Sequence, residues 1–549
     1  MNSDPNCPAI FRLAAGGLLI FHAWVVLDLI PQWSVTRNEP GHIAAGLTNW
    51  YTGTYDLYRV NPPLPRMMST APLLSESIIC LSALALEDVQ SSKRREREIG
   101  NYFANTNAVY YHELVCRARI AGVFWIVLGG ILVWRWSTRI FGPLSGLLTL
   151  VLWTFDPTLT AHAALATSDV PATVMGLAAT YAFAHLLRTG SLLHAFIAGL
   201  LLGVALQCKF TLLLLAPIWA LAWLLTRRNH EQHDFHTMSN RSQISHLLLI
   251  VFLAWLTLNA GFEFNGTWTR VNEFDFASTF LGDISELLEN SGLGGLPCPV
   301  PSAYIKGIDT QQVDFERGLR SYLRGEWRYE GWWWYLYAFG VKTPIGHLAI
   351  YGLAASMAIK YRQSIPSLIW LFPILIFAAA SSKNGFTEHL RYILPAYPFI
   401  MIFSGIVLSH PLSAYRRARR LFVICSLTWS SASMSLAYPN LLGYFNQMVG
   451  GSQEGWRHLA ESNVDWGQDL IFLKDWLTAH PEMTPVYTAL NCYIDQQLYL
   501  RQEYPIPELS MSGYAVVDAY NLTCDYQWLL KYPIVERIGT SIFVFKVAP

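Results

Sequence analysis

Residues 36–74 read TRNEPGHIAAGLTNWYTGTYDLYRVNPPLPRMMSTAPLL, and what this stretch does decides how the rest of the chain is read. It follows an apolar run, Ile10–Ile30, that is long enough to cross a bilayer. Pro40 suits the first turn of a helix, and the i, i+3 spacing then places Glu39 and His42 on one face. A carboxylate beside an imidazole can accept and pass protons, although taken alone such a pair is more simply a cap or a surface contact. Turn-forming residues follow at Thr52-Gly53-Thr54 and Asn61-Pro62-Pro63. The stretch then ends in a short apolar piece suited to lying flat on a membrane.

Composition places this stretch in a membrane protein. Of 549 residues, 53% are hydrophobic and 14% charged, against roughly 25% charged in soluble domains. Lys plus Arg equals Asp plus Glu at 38 each, so the charge balance gives no sign of a nucleic-acid partner. The eight cysteines form no C-x-x-C pair, which argues against a zinc ribbon or a thioredoxin-type site. His230, His233, His236 and His246 lack the carboxylate or thiol frame of a metal site and read as a solvated loop. Cys492 and Cys524 are bridged or free according to whether the tail is extracytoplasmic.

Eleven stretches are candidate spans: Ile10–Ile30, Leu114–Trp134, Leu144–Phe155, Val170–Leu187, Leu192–Cys208, Phe210–Leu225, Ile244–Phe262, Trp332–Ile359, Ile365–Ala380, Tyr392–Leu408 and Leu421–Ala437. Arginines and lysines in the short connectors fall on alternate sides, most densely at Arg416, Arg417, Arg419 and Arg420. This sets the N-terminus in the cytoplasm. The expected outer face carries loops 31–113 and 263–331 and the tail. The expected units are therefore a membrane domain, 1–437, and a small extracytoplasmic α/β domain, 438–549. In the tail a helical piece, Leu470–Ala479, alternates with strand-like runs at Val486–Leu490, Ala515–Ala519 and Ser541–Lys546.

Charged groups at a membrane boundary must meet water, a partner or a ligand. Glu39, His42, Arg119, Asp156, Asp169, Lys209, Lys342 and Arg391 all fall at the expected outer edge. Single members have plainer accounts: Lys209 as a snorkelling residue, Asp169 as a cap of the helix that follows it, and Asp156 before Pro157 as part of a turn. As a set they contain carboxylates for acid–base work and cations suited to a phosphate. Lys342, ten residues inside its expected span, calls for an anionic partner.

The ordered series NEPGHIAAG, RVNPPLPRMMSTAPLL, DPTLTAHAALATSDVPAT, LLGVALQCKFTLLLLAP, FGVKTPIGHL, EHLRYILPAYPF and YPNLLGYFNQMVGGSQEGWRHLAESNVDWGQDL resembles the polytopic glycosyltransferases of family 39. These are relatives of protein O-mannosyltransferases and aminoarabinose transferases, with the C-type glycosyltransferase fold. The resemblance implies a mainly helical, multi-pass inner-membrane enzyme that moves a sugar from a polyprenyl-phosphate carrier to an extracytoplasmic acceptor by inverting transfer. It implies membrane lipids as partners and no nucleic acid. No cofactor is legible, and a divalent metal is left open. The family's acidic pair lands on Asn38-Glu39, where Asn38 replaces the usual Asp and cannot act as a base. Glu39, helped by His42, then takes the catalytic role. Asp169 is the second acid, Arg119, Lys342 and Arg391 are the phosphate-holding cations, and Asn38 and Asp156 are supporting residues. Two rivals stand beside the enzyme: an inactive binding or scaffold protein, and a lipid or solute transporter.

Overall fold

The computed structural model describes residues 8–75, 95–228, 239–318, 320–329, 331–361, 365–382, 389–409, 415–483, 486–492, 499–500, 504–506 and 512–547. His230, His233 and His236 lie outside them. The chain is mainly helical. Among the described residues, five helices are long and apolar enough to cross a membrane: Ala9–Gln32, Tyr111–Phe141, Asp169–Thr189, Asn240–Ala260 and Leu390–Ser409. Pro143–Thr154 and Pro157–Ala163 make a sixth if their 62° bend lies within one broken span. The break has a local cause, since Asp156 is extended (ψ 112°), Pro157 follows it, and its Oδ1 caps the second helix by accepting from Leu159 N at 2.9 Å.

Other expected spans are shorter apolar helices, Leu192–Leu206, Phe210–Thr226 and Ser367–Ala380. The expected span Trp332–Ile359 is instead two helices, Trp334–Lys342 and Ile345–Tyr361. The residue before a proline avoids helical angles, and Thr343, just ahead of Pro344, is extended at φ −93° and ψ 134°. Lys342 therefore ends a short helix and is not deep inside a long one.

Small residues let these helices approach closely. A Cβ on Gly203 would stand 2.7 Å from the Ala254 carbonyl oxygen, and one on Gly122 would stand 1.8 Å from that of Ala163. Gly122→Ala must push apart the helices that start beside Arg119 and end beside Ala166. It should lower the thermal unfolding midpoint of the purified protein, with a cost of about 1–3 kcal/mol; an unchanged midpoint would show that this crossing is slack.

The C-terminal strands are β1 (Val486–Ala489), β2 (Tyr504–Pro505), β3 (Gly513–Asp518), β4 (Ile534–Ile538) and β5 (Ile542–Val547), which form one sheet in the order β2-β1-β3-β5-β4. β1 runs parallel to β2 and β3, whereas β5 is antiparallel to β3 and β4. The helix Leu470–Ala479 stands where the apolar spacing places it. Successive strand residues point to opposite faces, and the two faces enter different cores. Ala515, Val517, Phe543 and Phe545 join the large core of the helices. Val516, Ile542 and Val544 pack with Val35, Ile43, Leu47, Ile99 and Phe103. The stretch 36–74 is thus clamped from the C-terminal side. No disulfide joins Cys492 and Cys524.

Candidate functional site

Residues 34–37 run alongside the turn that precedes the helix Leu470–Ala479. Ser34 N donates to Gln468 O at 3.0 Å, Arg37 N donates to Trp466 O at 2.9 Å, and Ser34 Oγ donates to Gly467 O at 2.6 Å. Helix Glu39–Thr52 begins immediately afterwards, with Pro40 in its first turn. These contacts hold Arg37 and Asn38 on the wall of a cavity of about 810 Å³. The same wall carries His42, Asp169, Lys209, Arg391, Glu461 and Trp466. Residues more than 400 positions apart in sequence therefore line one polar space.

Three of the lining residues form a charged triad. Lys209 Nζ donates to Asp169 Oδ1 at 2.5 Å, and Arg391 Nε stands 3.8 Å from Asp169 Oδ2. Aromatic faces support both cations: Lys209 Nζ is 4.7 Å from the Tyr392 ring centroid and the Arg391 guanidinium carbon 4.1 Å from that of Trp466. Arg391 Nη1 is buried and has no hydrogen-bond partner among the described residues. A buried charged donor left open in this way favours an anion such as a phosphate oxygen. Lys209 reads from sequence as a snorkelling residue. It belongs to the site instead, because the connector Gln207-Cys208-Lys209 turns beneath the first turn of helix Asp169–Thr189.

Glu39 is placed elsewhere. Its carboxylate is fully buried and does not line the cavity. Oε1 accepts from Arg119 Nε (2.8 Å) and Ala166 N (2.9 Å), and Oε2 from Arg119 Nη2 (2.7 Å), Thr36 N (2.8 Å) and Thr36 Oγ1 (3.0 Å). Burial alone would push this carboxyl up, but Arg119 and the two backbone N–H groups outweigh it and hold it below the usual range. With every lone pair engaged, it is a fixed anion with no free electron pair for an acceptor proton. His42, one turn on, faces the cavity and stacks on Tyr58 with centroids 4.5 Å apart. Burial, aided by the Arg66 charge, lowers its pKa to about 3, so it is a neutral and weakly basic ring. The expected Glu39–His42 couple is split because one side chain turns to the core and the other to the cavity.

Two of the three expected phosphate cations are likewise occupied. Arg119 is fully buried, and its remaining N–H groups donate to the carbonyls of Ile30 (2.9 Å), Trp33 (2.8 Å) and Ser34 (2.8 Å). Lys342 donates to Leu442 O at 2.7 Å and Asn463 O at 2.5 Å, lies over Phe445, and has Asp156 as its electrostatic partner. Lys342 is thus met by two carbonyl oxygens, with the helix-capping Asp156 as a longer-range electrostatic neighbour. Of the expected residues, Asn38, His42, Asp169 and Arg391 share the cavity; Glu39, Arg119, Asp156 and Lys342 form its frame. Arg37 and Glu461, 3.5 Å apart, also line the wall; in sequence Arg37 adjoins Asn38 and Glu461 lies within the motif at residues 438–470, with nothing there to single it out. Among the described residues no three His, Cys, Asp or Glu side chains group as a metal site.

Residues 111–257 match the model of the family described as dolichyl-phosphate-mannose-protein mannosyltransferase, a segment that contains Asp169 and Lys209. No curated protein matches the chain. Among solved structures, ArnT from Cupriavidus metallidurans in the apo state aligns with a TM-score of 0.47 and 13% identity, covering 97% of this chain and 99% of that one. The apo oligosaccharyltransferase of Archaeoglobus fulgidus aligns at 0.41 and 13%, covering 91% and 61%. The Pmt1-Pmt2 protein O-mannosyltransferase complex of S. cerevisiae bound to its sugar donor aligns at 0.32 and 16%, covering 47% and 34%. The family resemblance carried by the sequence motifs is therefore borne out over residues 111–257, where the chain is similar to the dolichyl-phosphate-mannose-protein mannosyltransferases.

Proposed function

We propose that the protein is a membrane glycosyltransferase that takes a sugar from a polyprenyl-phosphate carrier and passes it to an extracytoplasmic hydroxyl acceptor with inversion. The observation that carries this reading is the cavity triad Asp169–Lys209–Arg391, with its open, buried guanidinium N–H. A phosphate on the anomeric carbon is already a good leaving group, so the protein's main task is to stabilise the departing charge with fixed cations. Lys209 and Arg391 are the cations in position to do so, and Asp169 holds the two in register. The family match at residues 111–257 and the apolar helices support the same class. The proposal includes eleven passes of an inner membrane, a cytoplasmic N-terminus, a membrane unit at 1–437 and an extracytoplasmic unit at 438–549.

The test is turnover. Purified protein in lipid vesicles, given radiolabelled polyprenyl-phosphate mannose and a membrane extract as acceptor source, should move label off the lipid. The same test with polyprenyl-phosphate aminoarabinose covers the other sugar class. A folded protein that binds the carrier but releases no label from either would favour a binding protein without turnover. That second reading draws on Asn38, an amide on the cavity wall, and on the engagement of Glu39.

A further inference from the structure

The proposed transfer has to dispose of the acceptor's hydroxyl proton, and most carboxylates of the site are poorly placed for it. Glu39 is outside the cavity with all its lone pairs in use. Asp169 is held by Lys209 at 2.5 Å and by Arg391. Glu96 is coupled to the buried Arg66 charge, and Asp525 is exposed at the rim. Asp314 also lines the cavity, in the last turn of helix Ser302–Arg317 next to its exposed end; Glu461 is set apart by its pairing and its backbone. It lines the cavity, its side chain is 16% exposed, and its ion pair is a single long contact, 3.5 Å to Arg37 Nη1. Arg37 immediately precedes Asn38, so this carboxylate stands at the mouth of the acidic-motif helix.

Its backbone carries a second mark. Glu461 has φ +55°, a left-handed conformation that costs a non-glycine residue energy and tends to persist where the surroundings impose it, commonly at functional sites. Here the imposing contacts are the Val464 N and Asp465 N donations to Glu461 O at 2.9 and 2.8 Å, together with Lys342 and Leu390 N on Asn463. The framework built around Lys342 thus aims Glu461 at the cavity.

We propose that Glu461 is the general base of the transfer, in a position unrelated to the Asn38-Glu39 pair. This inference rests on the glycosyltransferase reading above. The acceptor oxygen attacks the anomeric carbon and the bond from that carbon to the phosphate oxygen breaks. The electron pair leaves on the polyprenyl phosphate beside Lys209 and Arg391, and the hydroxyl proton passes to the Glu461 carboxylate and then to water. Burial raises the Glu461 pKa against the opposing charges of Arg37, Arg391 and Arg97, which strengthens it as a base. Tyr520 and Cys524 also face it, and both are neutral at physiological pH because burial pushes them up, to about 11 for the thiol.

The test compares Glu461→Gln with the unmodified protein in vesicles, using radiolabelled polyprenyl-phosphate mannose or aminoarabinose (whichever the unmodified protein turns over) and two nucleophiles. One is the hydroxyl acceptor in a membrane extract. The other is azide, an anion with no proton to lose. Transfer to hydroxyls should fall about 100-fold or more, glycosyl azide should form at close to the unmodified rate, and polyprenyl-phosphate binding should be unchanged. Glu461→Asp should retain part of the hydroxyl transfer, and its acid limb should shift to a different pH. Equal loss with both nucleophiles, or hydroxyl transfer kept within a few-fold, overturns the assignment while leaving the glycosyltransferase reading in place. Failure of the unmodified protein to use either nucleophile overturns both.

Discussion

Arg119→Met will destabilise the protein by about 3–5 kcal/mol, the usual penalty for breaking one side of a buried ion pair. The guanidinium has five N–H donors, and all five are used: two on Glu39 and three on the carbonyls of Ile30, Trp33 and Ser34. Methionine fills comparable volume but leaves a buried carboxylate uncompensated and three carbonyls without a donor. Lysine should fail almost as badly, since a single ammonium cannot reproduce the planar fork. The removal of both partners by Glu39→Leu with Arg119→Met should recover only part of the loss, because the orphaned carbonyls remain. Thermal or denaturant unfolding of the purified protein in detergent checks each case. The pH dependence has a definite sign. The folded Glu39 carboxyl titrates below its unfolded value, so its contribution is present above about pH 4–5 and is lost as pH falls through the folded value. The gap between the unmodified protein and Glu39→Gln should accordingly be widest at neutral pH and narrow in acid.

Arg391→Ala should reduce transfer about 100- to 1000-fold while leaving the fold intact, the range found when one preorganised charge-stabilising donor is removed. The guanidinium lines the cavity, stacks on Trp466, contacts Asp169 only at 3.8 Å, and has a buried Nη1 with no hydrogen-bond partner among the described residues. Its loss leaves Asp169 still paired with Lys209. Arg391→Lys should restore the charge without the fork, and activity should fall between the two. Lys342→Ala should behave in the opposite way. It should lower the unfolding midpoint, because Lys342 ties Leu442 and Asn463 together, while the dependence of the remaining rate on carrier-lipid concentration stays unchanged. Initial rates measured against carrier-lipid concentration separate the two cations.

The sequence carried the membrane class, the family resemblance, the tail helix and several strands, since each depends on local periodicity or an ordered series of motifs. It also located the cavity's acidic-motif wall, Asp169 and Arg391. What it could not carry is the direction in which a side chain turns. Glu39 and His42 share a helical face by spacing, yet Arg119 draws one inward while Tyr58 stacks on the other. By sequence Lys209 falls between two apolar runs and reads as a snorkelling residue, whereas Lys342 falls inside one and reads as the cation in need of an anion; the structure reverses the two. One meets Asp169 and the cavity and the other meets carbonyls, and only tertiary packing separates them. The break at Thr343-Pro344 was readable in principle from the proline, but the apolar run on either side outweighed it. Glu461 lies within the quoted motif at residues 438–470, but nothing in that motif marks it as a site residue, because its position depends on contacts from residues 37 and 465.

The central claim is that the Lys209–Arg391 pair is where the carrier phosphate sits, and an experimental structure of the protein with polyprenyl phosphate tests it most directly. The account predicts phosphate density within hydrogen-bonding distance of Lys209 Nζ and Arg391 Nη1, with the Glu39–Arg119 pair intact behind it. Phosphate bound at Lys342 or Arg119, or outside the cavity altogether, would contradict it.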